Sequence, residues 1–276
     1  MKVILSRKGF DSVNGGYPSP ILPDGRMVSL PIPVCSSICY SDLQLDNKTY
    51  YDVMHSLRTK IHYDGKWHKL TQDTECHLDP DIFGNVIKRS ADWKGCFGQV
   101  NSAQSHLENQ CVKIGDLFLF FGWFRHTKNA GNSLRFDGKD IHAIFGYMQI
   151  GEVINVCPDY QEPEWMKGHP HLEKNFNHSN NVIYAARDHL SWDQNLPGAG
   201  VFNFNEKLVL TKHGLSRSKW CLPALFRKAK ISYHDESSWK DGYFQSAMIG
   251  QEFVIQDNEC VENWAKEIIY TGLKNL

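Results

Sequence analysis

The chain has 276 residues, 41% of them hydrophobic and 22% charged, with a formal net charge of −1. That is enough for one large domain or two small ones with a core that needs no staples, and it excludes long disorder. Near-neutrality excludes a protein that coats duplex DNA by neutralising phosphates, so nucleic acid can be held only by a local patch or by a grip on one nucleotide.

In chain order, "KVILS" at 2–6 predicts a short buried strand delivering the loop "RKGFDSVNGGYPSPILPDG". Its glycines and prolines fix the backbone, and long ordered loops after strands commonly carry function. "RMVSLPIP" reads as an edge strand limited by its prolines. A short helix is expected over 47–58, irregular chain over 66–101, and a second helix at about 102–110 with Ser102 as N-cap. Gly115-Asp116 ends that helix and launches "LFLFFGWFR" as a strand. A strand pair over 140–156 follows, with Gly146 and Gly151 marking bulges or a barrel corner. Further strands are expected at Val182–Ala185, Gly200–Phe204, Lys207–Leu210 and Glu252–Ile255. From Asp257 the chain reads as an amphipathic helix with Val261, Trp264, Ala265 and Ile268 on one face. Strands outnumber helices. The expected class is α+β: a curved or barrel-like mixed sheet, interspersed short helices and a C-terminal helix. No linker divides the chain, so a single domain over 1–276 is expected.

The cysteines (35, 39, 76, 96, 111, 157, 221 and 260) form no CxxC pair, so free thiols in a reducing compartment fit better than disulfides or tightly held zinc. The apolar run at the N-terminus is too short for a signal peptide, and nowhere do 18 apolar residues run together; a cytoplasmic protein without a membrane partner is expected.

Alternation along "LFLFFGWFR" puts Leu117, Leu119, Phe121 and Trp123 on one face and Phe118, Phe120 and Phe124 on the other. Both faces are apolar, which predicts an interior strand. Its end differs: Trp123 and Phe124 beside Arg125, after a glycine, can stack a base and meet a phosphate at a rim. In "HLDPDIF", Asp79 and Asp81 are two apart; in extended chain both carboxylates point one way and can hold a divalent cation, while Asp-Pro-Asp is equally ordinary turn chemistry. In "FGQVNSAQSHL", Gln99 and Gln104 can read a base edge, and His106 can move a proton near neutral pH. "GHPHLEKNFNH" holds His169, His171 and His178; His-x-His can supply two metal ligands, but with no third nearby a loop of solvated histidines is expected. From 207 to 230 seven cations stand without an acid, Arg217 and Lys219 among them, which is the best phosphate-binding stretch in the chain. Signatures of P-loop, serine-hydrolase, zincin and zinc-deaminase chemistry are missing.

The pieces "SRKGFDSVNGGYPSPILPDG", "HLDPDI", "FGQVNSAQSHL", "GDLFLFFGWFR", "GYMQIGEV" and "GQEFV" occur in one order. Together they resemble the nucleotide modification associated domain family, third type, as far as about residue 256. That family is linked by genomic context to phage and bacterial systems that alter bases in DNA. The resemblance implies a setting rather than a reaction and carries over no accepted catalytic residue. The motif positions it marks are Arg7, Asp11, Tyr17, Ser19, Asp24, Asp79, Asp81, Gln104, His106, Arg125, Gln251 and Glu252. A more local similarity, "GDLFLFF" followed by "IFGYMQIGEVINVCPD", is to PUA-like domains of the EVE and YTH kind. It implies a PUA-like core around 100–160 and a flipped base in an aromatic cage.

The expectation is therefore a protein that recognises and processes a base or nucleotide in a DNA-modification or phage-defence setting, alongside other proteins of such a system. Tyr17, Trp123 and Phe124 would sandwich the base, with Gln104 and Gln251 on its edge. Arg7, Lys8, Arg125, Arg217 and Lys219 would meet phosphates. Asp11, Asp79, His106 and Glu252 would handle protons. No tightly bound cofactor is expected; a loosely held magnesium ion at Asp79 and Asp81 is the metal left open. The alternatives are a non-catalytic reader of modified bases, which needs the cage but no carboxylate, and a structural subunit of a modification complex.

Overall fold

The computed structural model describes residues 1–131, 133–174, 176–248 and 250–274. Eight strands form one curled mixed sheet: β1 (Val3–Arg7), β2 (Ser19–Ile21), β3 (Cys96–Gln99), β4 (Leu117–Ala130), β5 (Ser133–Asn155), β6 (Val182–Ala186), β7 (Ala199–Val201) and β8 (Glu252–Ile255). The order is β8-β1-β4-β5-β6-β3, with β7 added to β5 and β2 to β4. β1 lies parallel to β4 and antiparallel to β8, so the first strand and the last sit side by side at one end of the sheet order. Three helices join them: α1 (Tyr50–Leu57), α2 (Asn101–Asn109) and α3 (Glu259–Leu273). The α+β class with a curved sheet and a C-terminal helix is thus the observed one.

The aromatic run is interior as its two apolar faces require. Leu117 to Phe121 and Phe124 are fully buried, with rings from both faces of the sheet around them. Each such side chain contributes about 1.5–3 kcal/mol on burial, which makes β4 the keel of the main core. The expected strand pair over 140–156 is instead one strand, β5, that begins at 133 and is flanked by β4 and β6. The bulges marked by the glycines are present. Register slips by one residue at Phe145, beside Gly146, and again at Gly151. At Gly151 a Cβ would lie 2.8 Å from the Arg187 backbone, so only glycine lets the chain leaving β6 cross there.

A second core, built around Phe10, Tyr17, Tyr40, Tyr50 and Met54, fills the space between the loop after β1, α1 and the hairpin Lys60–Tyr63/Lys66–Lys69. Thr49 and Asp52 close a capping box on α1. Three expectations are corrected. Ser102 does not cap α2; the N-cap position is Val100, with no side-chain cap. "RMVSLPIP" forms isolated bridges rather than a strand, because its prolines leave too few consecutive donors. Lys207–Leu210 is replaced by a 3₁₀ turn, Glu206–Leu208, capped by Asn205. The terminal helix starts after Asn258, whose side chain accepts from Val261 N, and buries Val261, Ala265 and Ile268 as the spacing requires. Among the described residues no helix is long and apolar enough to cross a membrane, and all eight cysteines are free.

Candidate functional site

The sheet edge at β3 creates the site. The segment after His77 continues the sheet there: Asp81 and Cys96 exchange backbone hydrogen bonds, and the outward Gly98 N–H donates to Asp79 Oδ1 at 2.7 Å. On the other side the loop after β1 turns back at Gly9 and Asp11. Asp11 Oδ1 accepts from Val13 N and Asn14 N, an Asx turn that fixes the loop. The segment before β8 supplies a third wall, with Gln251 O accepting from Arg7 N. Between them lies a cavity of about 470 Å³. Arg7, Lys8, Asp11, Asp79, Gln99 and Gln251 line it, as do His77, His171 and His178.

At its floor, one ligand atom each from His77, Asp79 and His171 lie within 4.8 Å of one another. The Asp79 side chain is only 6% exposed. Burial raises its carboxyl to about 7, against the pull of the Lys8 ammonium and the Gly98 N–H. Burial also lowers His77 to about 4 and His171 to about 3, the latter helped by the neighbouring His77, so both imidazoles are neutral. The tautomer of His171 is fixed. Asn181 Nδ2 donates to the His171 carbonyl at 2.8 Å, which turns Asn181 Oδ1 to His171 Nδ1 at 2.7 Å. An amide oxygen only accepts, so Nδ1 carries the proton and Nε2 keeps the lone pair. His169 stands behind: its Nδ1 accepts from His171 N, which leaves a proton on Nε2, 3.7 Å from Asp79 Oδ1. Gly98 makes room for the arrangement, since a Cβ there would fall 2.4 Å from the His171 ring.

Beside this cluster runs a buried ion pair. Lys8 Nζ donates to Glu252 Oε1 at 2.8 Å, shared with Gln99 Nε2 at 2.8 Å, and the ammonium sits 4.2 Å from the Phe97 ring centre. Among the described residues, buried Glu252 Oε2 and His169 Nε2 have no hydrogen-bond partner.

Several expected site residues stand elsewhere. Tyr17 is 4% exposed in the second core, edge-on to Phe10 and near Phe136, and does not line the cavity. Phe124 is fully buried, Trp123 lies under the Arg217 guanidinium at 3.9 Å, and Arg125 is paired with Asp140. The rim expected at 123–125 is therefore closed by its own neighbours, although β2 does bring the loop alongside it. Lys219 sits over Tyr243 and Arg227 over Trp239, so much of the basic stretch caps aromatic rings. Gln104 is buried between Glu108 and the Tyr184 hydroxyl. His106 is half-buried, bonded to Ser232 and stacked on Tyr233. Arg7 reaches the cavity wall, but its guanidinium is held by the carbonyls of Ala247 and Met248. Asp79 and Asp81 do not form a magnesium pair: Asp81 takes both guanidinium nitrogens of Arg89. His169 and His171 are each 3% exposed, not solvated, and of the two only His171 gathers with His77 and Asp79.

Residues 2–256 match the family model for nucleotide modification associated domain 3. No curated protein and no solved structure matches the chain. With the match spanning the main sheet from β1 to β8 and every wall of the cavity, the chain belongs to the nucleotide modification associated domain 3 family.

Proposed function

We propose that the cavity beside β3 receives a base or nucleotide and processes it. One observation carries this reading: residues from six parts of the chain, at 7–14, 32–34, 77–79, 98–100, 171 with 176 and 178, and 248 with 250 and 251, line one cavity of about 470 Å³ in a domain associated with nucleotide modification. Its size suits a nucleotide, and its lining sets many charged, amide and imidazole groups beside a smaller apolar share from Ile32, Val34, Phe176 and Met248. Gln251 and Asn14 offer amides to a base edge, while Gln99 and the Lys8 ammonium are held on Glu252 in the wall. Asp79 is the buried cavity-lining carboxyl group available for processing, by moving a proton or by holding a metal ion. The DNA-modification or phage-defence setting and the PUA-like relation belong to this reading as its finer form, with a modified base in nucleic acid as the ligand.

Calorimetry of the full chain with deoxynucleoside monophosphates and short single strands, with and without modified bases, tests it. Mass spectrometry of the same mixtures reads turnover. Gln251→Ala is expected to weaken binding about tenfold, the worth of one good hydrogen bond. Asp79→Asn is expected to keep binding and abolish turnover. Binding without turnover in the wild type favours the non-catalytic reader, and absence of binding favours the structural subunit.

A further inference from the structure

We infer that His77, Asp79 and His171 bind one divalent first-row transition-metal ion at the floor of the cavity. The inference goes beyond the nucleotide reading and does not depend on it. Three observations carry it. First, the three side chains come from two segments some ninety residues apart, yet their ligand atoms gather within 4.8 Å of one another. Bonds of about 2.0–2.2 Å to a common ion put ligand atoms roughly 3.0–3.6 Å apart, so small side-chain adjustments close the site. Second, the surroundings orient ligands rather than satisfy them. Asn181 holds the His171 proton on Nδ1 and leaves Nε2 the nitrogen free to bind a cation. Asp79 Oδ1 takes the Gly98 N–H, which leaves Oδ2 available. His169 stands behind the same carboxylate with a buried, unpartnered Nε2. Asn181 on His171 and the Gly98 N–H on Asp79 are outer partners of the kind that usually support a metal-bound histidine or carboxylate; His169 Nε2, 3.7 Å from Asp79, makes no hydrogen bond to it. Third, Gly98 is the residue that lets the His171 ring occupy its place, since any side chain there would overlap it.

The donor set decides the metal. Two imidazoles and one carboxylate favour manganese, iron, cobalt, nickel or zinc over magnesium or calcium, which prefer oxygen alone. Three protein ligands leave further coordination positions to water or to whatever enters the cavity. Asp81 takes no part, being held by Arg89.

The test uses the full chain and metal alone. After dialysis against a chelator, Co2+, Mn2+ and Zn2+ are titrated separately by calorimetry, and bound metal is counted by elemental analysis. One equivalent is expected, with a cobalt d–d absorbance. His171→Ala is expected to weaken affinity at least a hundredfold, and Asn181→Ala about tenfold to a hundredfold. His178→Ala, on the cavity wall but outside the cluster, is expected to bind as the wild type does. Should a ligand variant fail to fold, proton NMR of wild-type protein with Co2+ decides: two exchangeable, paramagnetically shifted imidazole N–H resonances are expected. No bound equivalent, or binding with no such resonances, overturns the inference. Because the assay contains no nucleotide, its failure leaves the nucleotide reading standing, and failure of nucleotide binding leaves this one standing.

Discussion

Two regions of this molecule are rich in rings and charge, and they are built oppositely. In the middle of β4 and along the basic stretch, Trp123, Arg125, Arg217, Lys219 and Arg227 are nearly all answered from within: guanidinium over indole, ammonium over phenol, arginine against aspartate. Trp123 Nε1 is the exception, buried without a partner. At the cavity beside β3, His77, Asp79, His171 and Glu252 are oriented by neighbours and still hold unused capacity. The difference teaches that a dense cluster of functional residue types marks a site only where folding leaves donors or acceptors unspent. The first region is built as a structural clamp, and the second is the receptor proposed above.

Mutations that separate structural from receptive roles sharpen this contrast, the largest effect first. Glu252→Ala leaves the Lys8 ammonium buried and unpaired, at 8% side-chain exposure, and is expected to cost about 3–5 kcal/mol of stability. Chemical denaturation measures it; a loss under about 1 kcal/mol would show that Lys8 escapes to water, so that the pair is not the joint between β1 and β8. Gly98→Ala comes next. The added methyl falls on the His171 ring, and overpacking of this kind costs about 1–3 kcal/mol. The same variant is expected to lose metal affinity, because the ring must leave its place. Retention of both stability and metal by Gly98→Ala would place the ring elsewhere in solution.

Much of the framework was legible because periodicity reports burial directly. β1, β4, β8 and α3 follow from apolar alternation or 3.6-residue spacing, and Gly146 and Gly151 announced their bulges. The site was legible only in fragments. Arg7, Lys8, Asp11, Asp79 and Gln251 do line the cavity. Asp79 and the His-x-His of 169–171 were each read, His77 was not, and nothing local says that a sheet edge joins segments so far apart. Tyr17, Trp123 and Phe124 misled for the converse reason: their ring chemistry is the same in a core as in a cage, and only the neighbours decide. Asn181, which fixes the His171 tautomer, carries no signal in the sequence because its role exists only through contact.

The clamp region should also respond to acid. His142 is 6% exposed, its Nδ1 accepts from Trp220 Nε1, and burial lowers it to about 3. A depressed folded value means that the unfolded chain binds the proton first. The stability His142 confers is therefore complete above about pH 6.5 and drains away as pH falls toward 3. His77 and His171 act in the same direction. One such group contributes a slope of at most about 1.4 kcal/mol per pH unit. His142→Asn, which keeps an acceptor for Trp220 and cannot titrate, is expected to flatten the urea-midpoint profile below pH 6 by that share. Parallel profiles for the two proteins would mean that His142 is already protonated in the folded state.

The smallest effect is the most diagnostic of the contrast. Arg217→Ala removes the guanidinium over Trp123 and is expected to cost about 0.5–2 kcal/mol, the range of a partly buried cation–π contact. It should change neither nucleotide affinity nor metal affinity at the cavity, since the cavity wall contains neither Arg217 nor Trp123. If Arg217→Ala instead weakens the binding of single strands while sparing mononucleotides, the basic stretch is an extended track for the polymer. The clamp would then be a second contact surface, because a phosphate backbone followed beyond one nucleotide needs cations outside the pocket that holds the base.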